Sequence, residues 1–110
     1  MTDADIKKQL YKRLNTALEA WYKIISTDHH KTRDCNFYIT TVFCCFEEPK
    51  FFWEHNGYLL GDCMGERKDT YIEALHDLVM WLEKAVVDEA EHRIRRAQED
   101  EEYERETYTK

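Results

Sequence analysis

Asn36–Gly57 reads NFYITTVFCCFEEPKFFWEHNG. Its first eleven residues are β-branched, aromatic or small throughout, which is strand composition. Strand alternation places Phe37, Ile39, Thr41, Phe43 and Cys45 on one face and Tyr38, Thr40, Val42, Cys44 and Phe46 on the other. Both faces are rather apolar. A sheet wetted on one side would carry a polar outer face, so this strand is expected to be covered twice or to offer an aromatic surface to a partner. Glu47 to Lys50, with the chain's only proline, reads as a turn. Phe51 to Glu54 reads as a short second strand, and His55-Asn56-Gly57 as a tight turn favoured by the positive φ that Asn-Gly adopts. Tyr58 to Met64 completes an antiparallel three-stranded meander.

Helices flank this meander on both sides in sequence. Ile6, Leu10, Leu14, Ala17, Trp21 and Ile24 recur every three or four positions and predict a helix from about Ala4 to Ile25, capped by Thr2 or Asp3. Tyr11, Leu18, Tyr22 and Ile25 widen its apolar face. On the other side, Thr70 and Glu73 form a T-x-x-E capping box before a stripe of Ile72, Leu75, Val79, Leu82 and Val86. The fold class is therefore α+β, in the order α-β-β-β-α, with both helices packed on one face of the sheet. Leu10, Leu14, Trp21, Phe43, Leu75, Val79 and Leu82 are the expected core.

The chain of 110 residues suits one domain, read as 1–90, with 91–110 a charged helical C-terminal extension. Glu89/Arg93, Glu91/Arg95 and Glu101/Arg105 are spaced for ion pairs on that helix. The first twenty residues are charged and amphipathic and resemble neither a signal peptide nor a membrane span, so a cytoplasmic protein with reduced cysteines is expected.

The thiols do not announce chemistry. Cys44 and Cys45 are neighbours on a strand and point to opposite faces, and no C-x-x-C pair occurs, so no metal or other cofactor is expected. Cys35 with His29 or His30 is the one conceivable nucleophile and base. Three glycines supply no phosphate-cradling loop. A non-enzymatic protein is the expectation.

The helix-strand-strand-strand-helix order resembles double-stranded-RNA-binding domains, which grip phosphates with a basic cluster at the start of the last helix. Here Gly65 to Asp77 reads GERKDTYIEALHD, with Arg67 and Lys68 set among Glu66, Asp69, Glu73 and Asp77. Direct duplex binding is therefore not expected. Thr70 to Leu75, TYIEAL, resembles the capped helix that follows a strand in HicB-like antitoxin domains.

Charge carries the functional expectation. Through Arg33 the chain is net +3 and from Asp34 onward net −10. Small, acidic, aromatic-rich chains of this kind resemble in type the inhibitors that phages and other mobile elements direct against host nucleic-acid machinery. Such a protein would bind a basic, nucleic-acid-handling partner through carboxylates on a rigid helix. The carboxylates in that position are Asp69, Glu73, Asp77, Glu83, Asp88, Glu91, Glu99, Glu101 and Glu102. The alternative is a ligand- or nucleobase-binding sheet face made of Tyr38, Phe46, Phe52 and Trp53. The charge asymmetry also suggests a homodimer, held by Tyr22, Ile25, Trp81 or the outer sheet aromatics.

Overall fold

The computed structural model describes residues 1–28, 35–57 and 59–108, except for the side chains of 104–108. Five elements follow one another: α1 (Asp3–Ile25), β1 (Cys35–Val42), β2 (Lys50–Gly57), β3 (Cys63–Met64) and α2 (Tyr71–Tyr108). The strands form one antiparallel sheet in the order β1-β2-β3, as the α+β reading requires.

α1 starts at a capping box, and α2 at a Thr70 side-chain cap. At α1 the Thr2 hydroxyl accepts from the Asp5 backbone N–H, and the Asp5 carboxylate accepts from the Thr2 N–H. At α2 the Thr70 hydroxyl accepts from the Glu73 N–H at 3.1 Å. The helices run parallel, because contacts advance along both together: Tyr11 meets Tyr71, Arg13 meets Glu83, and Asp28 meets Arg93. Leu10 packs with Leu75 and Val79, while Trp21 and Ile25 pack with Leu82 and Cys35. Each such buried side chain contributes about 1.5–3 kcal/mol of hydrophobic stabilisation. Leu14 is partly buried between the two clusters.

The sheet buries one face only. Register pairs Phe37 with His55 and Ile39 with Trp53, and these odd-numbered residues face the helices. Tyr38, Thr40 and Phe52 lie on the opposite, uncovered face. The double covering that the apolar alternation allowed does not occur.

Three expectations change. β1 ends at Val42, opposite Lys50, so Phe43 and Phe46 belong to a connecting loop and are 81% and 107% exposed. Phe43 is therefore not core: beyond Val42 the strand has no partner to hold its alternation. β2 is twice the expected length and runs through Asn56 and Gly57, which pair with Asn36 and Cys35. The cause is His55, 2% exposed, whose ring lies 4.5 Å from Phe37 and whose Nδ1 is 2.8 Å from the Gly61 carbonyl oxygen. The chain turns later, where Leu59 and Gly61 take positive φ and the Gly61 N–H donates to the Gly57 carbonyl. β3 is consequently only Cys63–Met64, and Tyr58 lies outside the described residues.

Candidate interaction surfaces

The carboxylates expected at a partner site, Asp69 just before α2 and the others on it, differ in their contacts. Asp69 is paired with Lys50, whose hydrogen bond and charge hold the Asp69 carboxyl below the usual carboxylate range. Glu73 accepts from the Thr70 hydroxyl. Asp77 accepts from the Trp53 indole N–H at 3.0 Å, and Glu83 accepts from Arg13 at 2.5 and 3.2 Å. Each of these four carboxylates is engaged within the chain, although Asp69 and Glu73 remain exposed beside their partners. The pairing was hidden because their partners lie in β2 and α1, or in the cap of α2 itself.

Asp88, Glu91, Glu99 and Glu102 are exposed. At 100° per residue they share one stripe of the helix with Lys84 and Arg95, on the side opposite Leu78, Leu82 and Val86. Glu101 is exposed on a different side of the same helix. Contacts between α2 and the α1 end of the body continue as far as Arg93, and from Ile94 to Tyr103 every residue is exposed. The acidic stripe thus begins over the body and continues along a helix that leaves it.

The aromatic set is split. Tyr38 (49% exposed) and the half-buried Phe52 share the open sheet face, beside a hydrogen bond from Thr40 Oγ1 to Glu54 at 3.1 Å. Trp53 does not belong with them: it is 2% exposed, faces the helices and stacks at 4.6 Å on Trp81. Phe46 sits in the loop after β1 rather than on the sheet. Ile25 and Trp81, expected at a dimer seam, are engaged within the chain, Ile25 at 1% exposure. Tyr22 is half-exposed and donates its hydroxyl to the Cys35 carbonyl at 3.1 Å.

That tyrosine marks a feature the sequence reading missed. Phe51 exchanges two backbone hydrogen bonds with Lys68, and the Gly65 N–H donates to the Trp53 carbonyl. Odd residues of β2 therefore aim their backbone groups away from β1, and the bonded pairs toward β1 are Tyr38–Glu54, Thr40–Phe52 and Val42–Lys50. The N–H and C=O groups of Phe37, Ile39 and Thr41 face outward along an edge that no strand among the described residues pairs. A groove of about 300 Å³ runs between this edge and the Tyr11, Leu14, Leu18 and Tyr22 side of α1. The available signal was the absence of charge from CNFYITTV, since exposed edges are usually blunted by Lys, Pro or a bulge.

The thiols and histidines gather no centre. Cys35 is 7% exposed, while His29 and His30 lie outside the described residues. Cys63 pairs with His55 across the β2–β3 ladder, and burial, then the charge of Asp62, pushes its thiol pKa up. Among the described residues no three His, Cys, Asp or Glu side chains come together to hold a metal ion, and no helix is long and apolar enough to cross a membrane.

Comparison of the chain with protein-family models, with curated proteins and with solved structures returns no match.

Proposed function

We propose that this is a non-enzymatic, acidic regulatory or inhibitory protein that occupies the basic surface of a nucleic-acid-handling partner. The observation that supports the reading is the exposed stripe Asp88, Glu91, Glu99 and Glu102, held on a helix that extends beyond the packed body. A continuous helix fixes the spacing of its carboxylates, so they meet a basic cleft without first being ordered. Asp88 with Glu91 and Glu99 with Glu102 are three residues apart, with Cβ atoms about 5–6 Å from each other, and the two pairs are separated by about 12 Å along the helix. Arg95, within the same stripe, gives the surface a polarity that a uniform acidic tail would lack.

The homodimer belongs to the same proposal. With Ile25 buried and Trp81 packed on Trp53, the apolar residues of α2 that remain exposed include Met80, Val87 and Ile94, spaced by seven and 49%, 54% and 60% exposed.

The test is affinity capture from a cell extract by the wild-type chain and by a variant carrying Asp88→Asn, Glu91→Gln, Glu99→Gln and Glu102→Gln. A basic partner retained by the wild type, lost from the variant, and released as ionic strength rises would support the assignment. A partner set unaffected by the four neutralising substitutions would remove it.

A further inference from the structure

Phe37, Ile39 and Thr41 present three N–H and C=O sets at the strand spacing with no backbone partner among the described residues, a row that water can solvate and that another extended chain can pair along its whole length. The site has two built ends. At one, the Tyr22 hydroxyl already occupies the Cys35 carbonyl. At the other, the Tyr11 and Tyr71 hydroxyls meet at 2.6 Å, and the Lys7 ammonium lies 5.2 Å over the Tyr71 ring. Tyr11 and Tyr22 are eleven residues apart on α1, roughly 16 Å along the helix, or the length of about five strand residues.

The position of α1 decides what kind of chain fits. No Cα of α1 lies within 8 Å of one in β1, whereas α2 comes that close to both β1 and β2. Trp21 and Ile25 nevertheless pack against Cys35, so α1 lies in the same layer as α2 and overhangs the space beside β1. A second copy pairing its own β1 here about a two-fold axis would bring a second α1 to the same side of the joined sheet, where the two helices would have to share the space beside the edges. A lone strand meets no such obstacle, because it slides beneath α1. Its side chains directed toward the helices would enter the groove against Leu14, Leu18 and the tyrosines. At the Tyr11 end of α1, Lys7 lies on the groove side over Tyr71 with Lys8 next to it in sequence, while Asp5 in the first turn is engaged with the Thr2 cap and Asp3 lies beside it; β1 itself carries no charge.

We propose that the free edge of β1 captures one extended segment of a partner polypeptide, apolar at alternate positions and acidic at the end that lies near Lys7 and Lys8. This site is separate from the acidic stripe of α2, which lies beyond the opposite side of the helix pair. The protein is in this respect an adaptor with two unlike contacts: a backbone-reading cleft on α1 and β1, and a charge-reading rod on α2.

The test uses the full chain, isotope-labelled for amide exchange, and synthetic peptides of about eight residues that alternate Thr with Val, Leu, Ile or Phe and end in two glutamates. In the free protein the amides of Phe37, Ile39 and Thr41 should exchange at least roughly tenfold faster than those of Tyr38, Thr40 and Val42. At least one peptide should bind with a dissociation constant below about 1 mM and slow the three odd-numbered amides selectively. Thr41→Pro removes an edge-facing N–H without touching the β2 ladder or a core side chain, and should weaken that peptide at least about tenfold while leaving the far-ultraviolet spectrum unchanged. Methylating alternate amide nitrogens of the peptide should do the same with the protein untouched. Neutralising Asp88, Glu91, Glu99 and Glu102 should leave peptide binding intact, which separates this site from the acidic one. The proposal is overturned if no peptide slows those amides, if they are already slow in the free chain, or if binding perturbs Tyr38, Thr40 and Phe52 on the open face instead.

Discussion

The guanidinium of Arg93 grips the carboxylate of Asp28 through two parallel hydrogen bonds, Nη1 to Oδ1 and Nη2 to Oδ2, both 2.8 Å. Nη1 also donates to the Ile24 carbonyl at 2.9 Å, and Nε donates to Glu89 at 2.8 Å. One side chain therefore closes the carboxyl end of α1 and fastens it to the middle of α2. The Asp28 bond first, and the Glu89 bond second, raise the Arg93 pKa further above its ordinary value.

Arg93→Met should cost about 2 kcal/mol, because it takes two charge-assisted hydrogen bonds from the Asp28 carboxylate and one donor, besides the Thr27 hydroxyl, from the Ile24 carbonyl. Urea denaturation of Arg93→Met, Asp28→Asn and the double variant checks this. Additive losses in that cycle would show that the two residues do not act together.

Gly65 is required for a different reason. A Cβ built there would stand 2.1 Å from Trp53 Nε1 and 2.7 Å from Asp77 Oδ2, the two atoms of the buried indole–carboxylate bond. Gly65→Ala should destabilise the chain by about 1–3 kcal/mol and shift tryptophan fluorescence as the Trp53–Trp81 stack is displaced. A variant with wild-type stability and spectrum would show that this cradle yields freely.

Phe43→Ser and Phe46→Ser should each change stability by no more than about 0.5 kcal/mol, although both look like core in a strand pattern. Leu82→Ala, at a fully buried position, should cost about 2–5 kcal/mol. Chemical denaturation of the three variants is the check, and a Phe43 loss comparable to that of Leu82 would restore it to the core.

Tyr71 should hold its proton to unusually high pH. Burial, then the hydrogen bond with Tyr11, pushes its pKa up to about 12. The folded chain therefore binds this proton where the unfolded chain has released it, and stability contributed by Tyr71 is complete below pH ~10 and is lost between pH ~10 and ~12. Urea midpoints across that range should fall more steeply in the wild type than in Tyr71→Phe. Equal slopes would contradict the assignment.

What could be read in the sequence was local. Thr2 with Asp5 and Thr70 with Glu73 are three residues apart, and the stripes from Leu10 to Trp21 and from Leu75 to Leu82 repeat within single helices, so both helices and most of the core were legible. The end of β1 was not, because alternation continues through Phe43 while the ladder stops with its partner Lys50. Nor was the end of β2, which depends on a Gly61 carbonyl accepting or facing a buried imidazole. The contacts of the acidic residues were not legible either. A carboxylate's availability is set by a cation or indole elsewhere in the chain, and neither Arg13 for Glu83 nor Trp53 for Asp77 is near in sequence.

α2 has 38 residues, and the molecule measures 70 × 32 × 22 Å with a radius of gyration of 18.6 Å. A compact chain of this size would have a radius near 13 Å. In solution such a shape drags like a much heavier particle and tumbles unequally about its axes, so a single chain on a sizing column travels with globular proteins of considerably greater mass. Retention volume alone would report a dimer whether or not two copies meet along Met80, Val87 and Ile94, and the question of self-association belongs to scattered light or sedimentation, which weigh the particle.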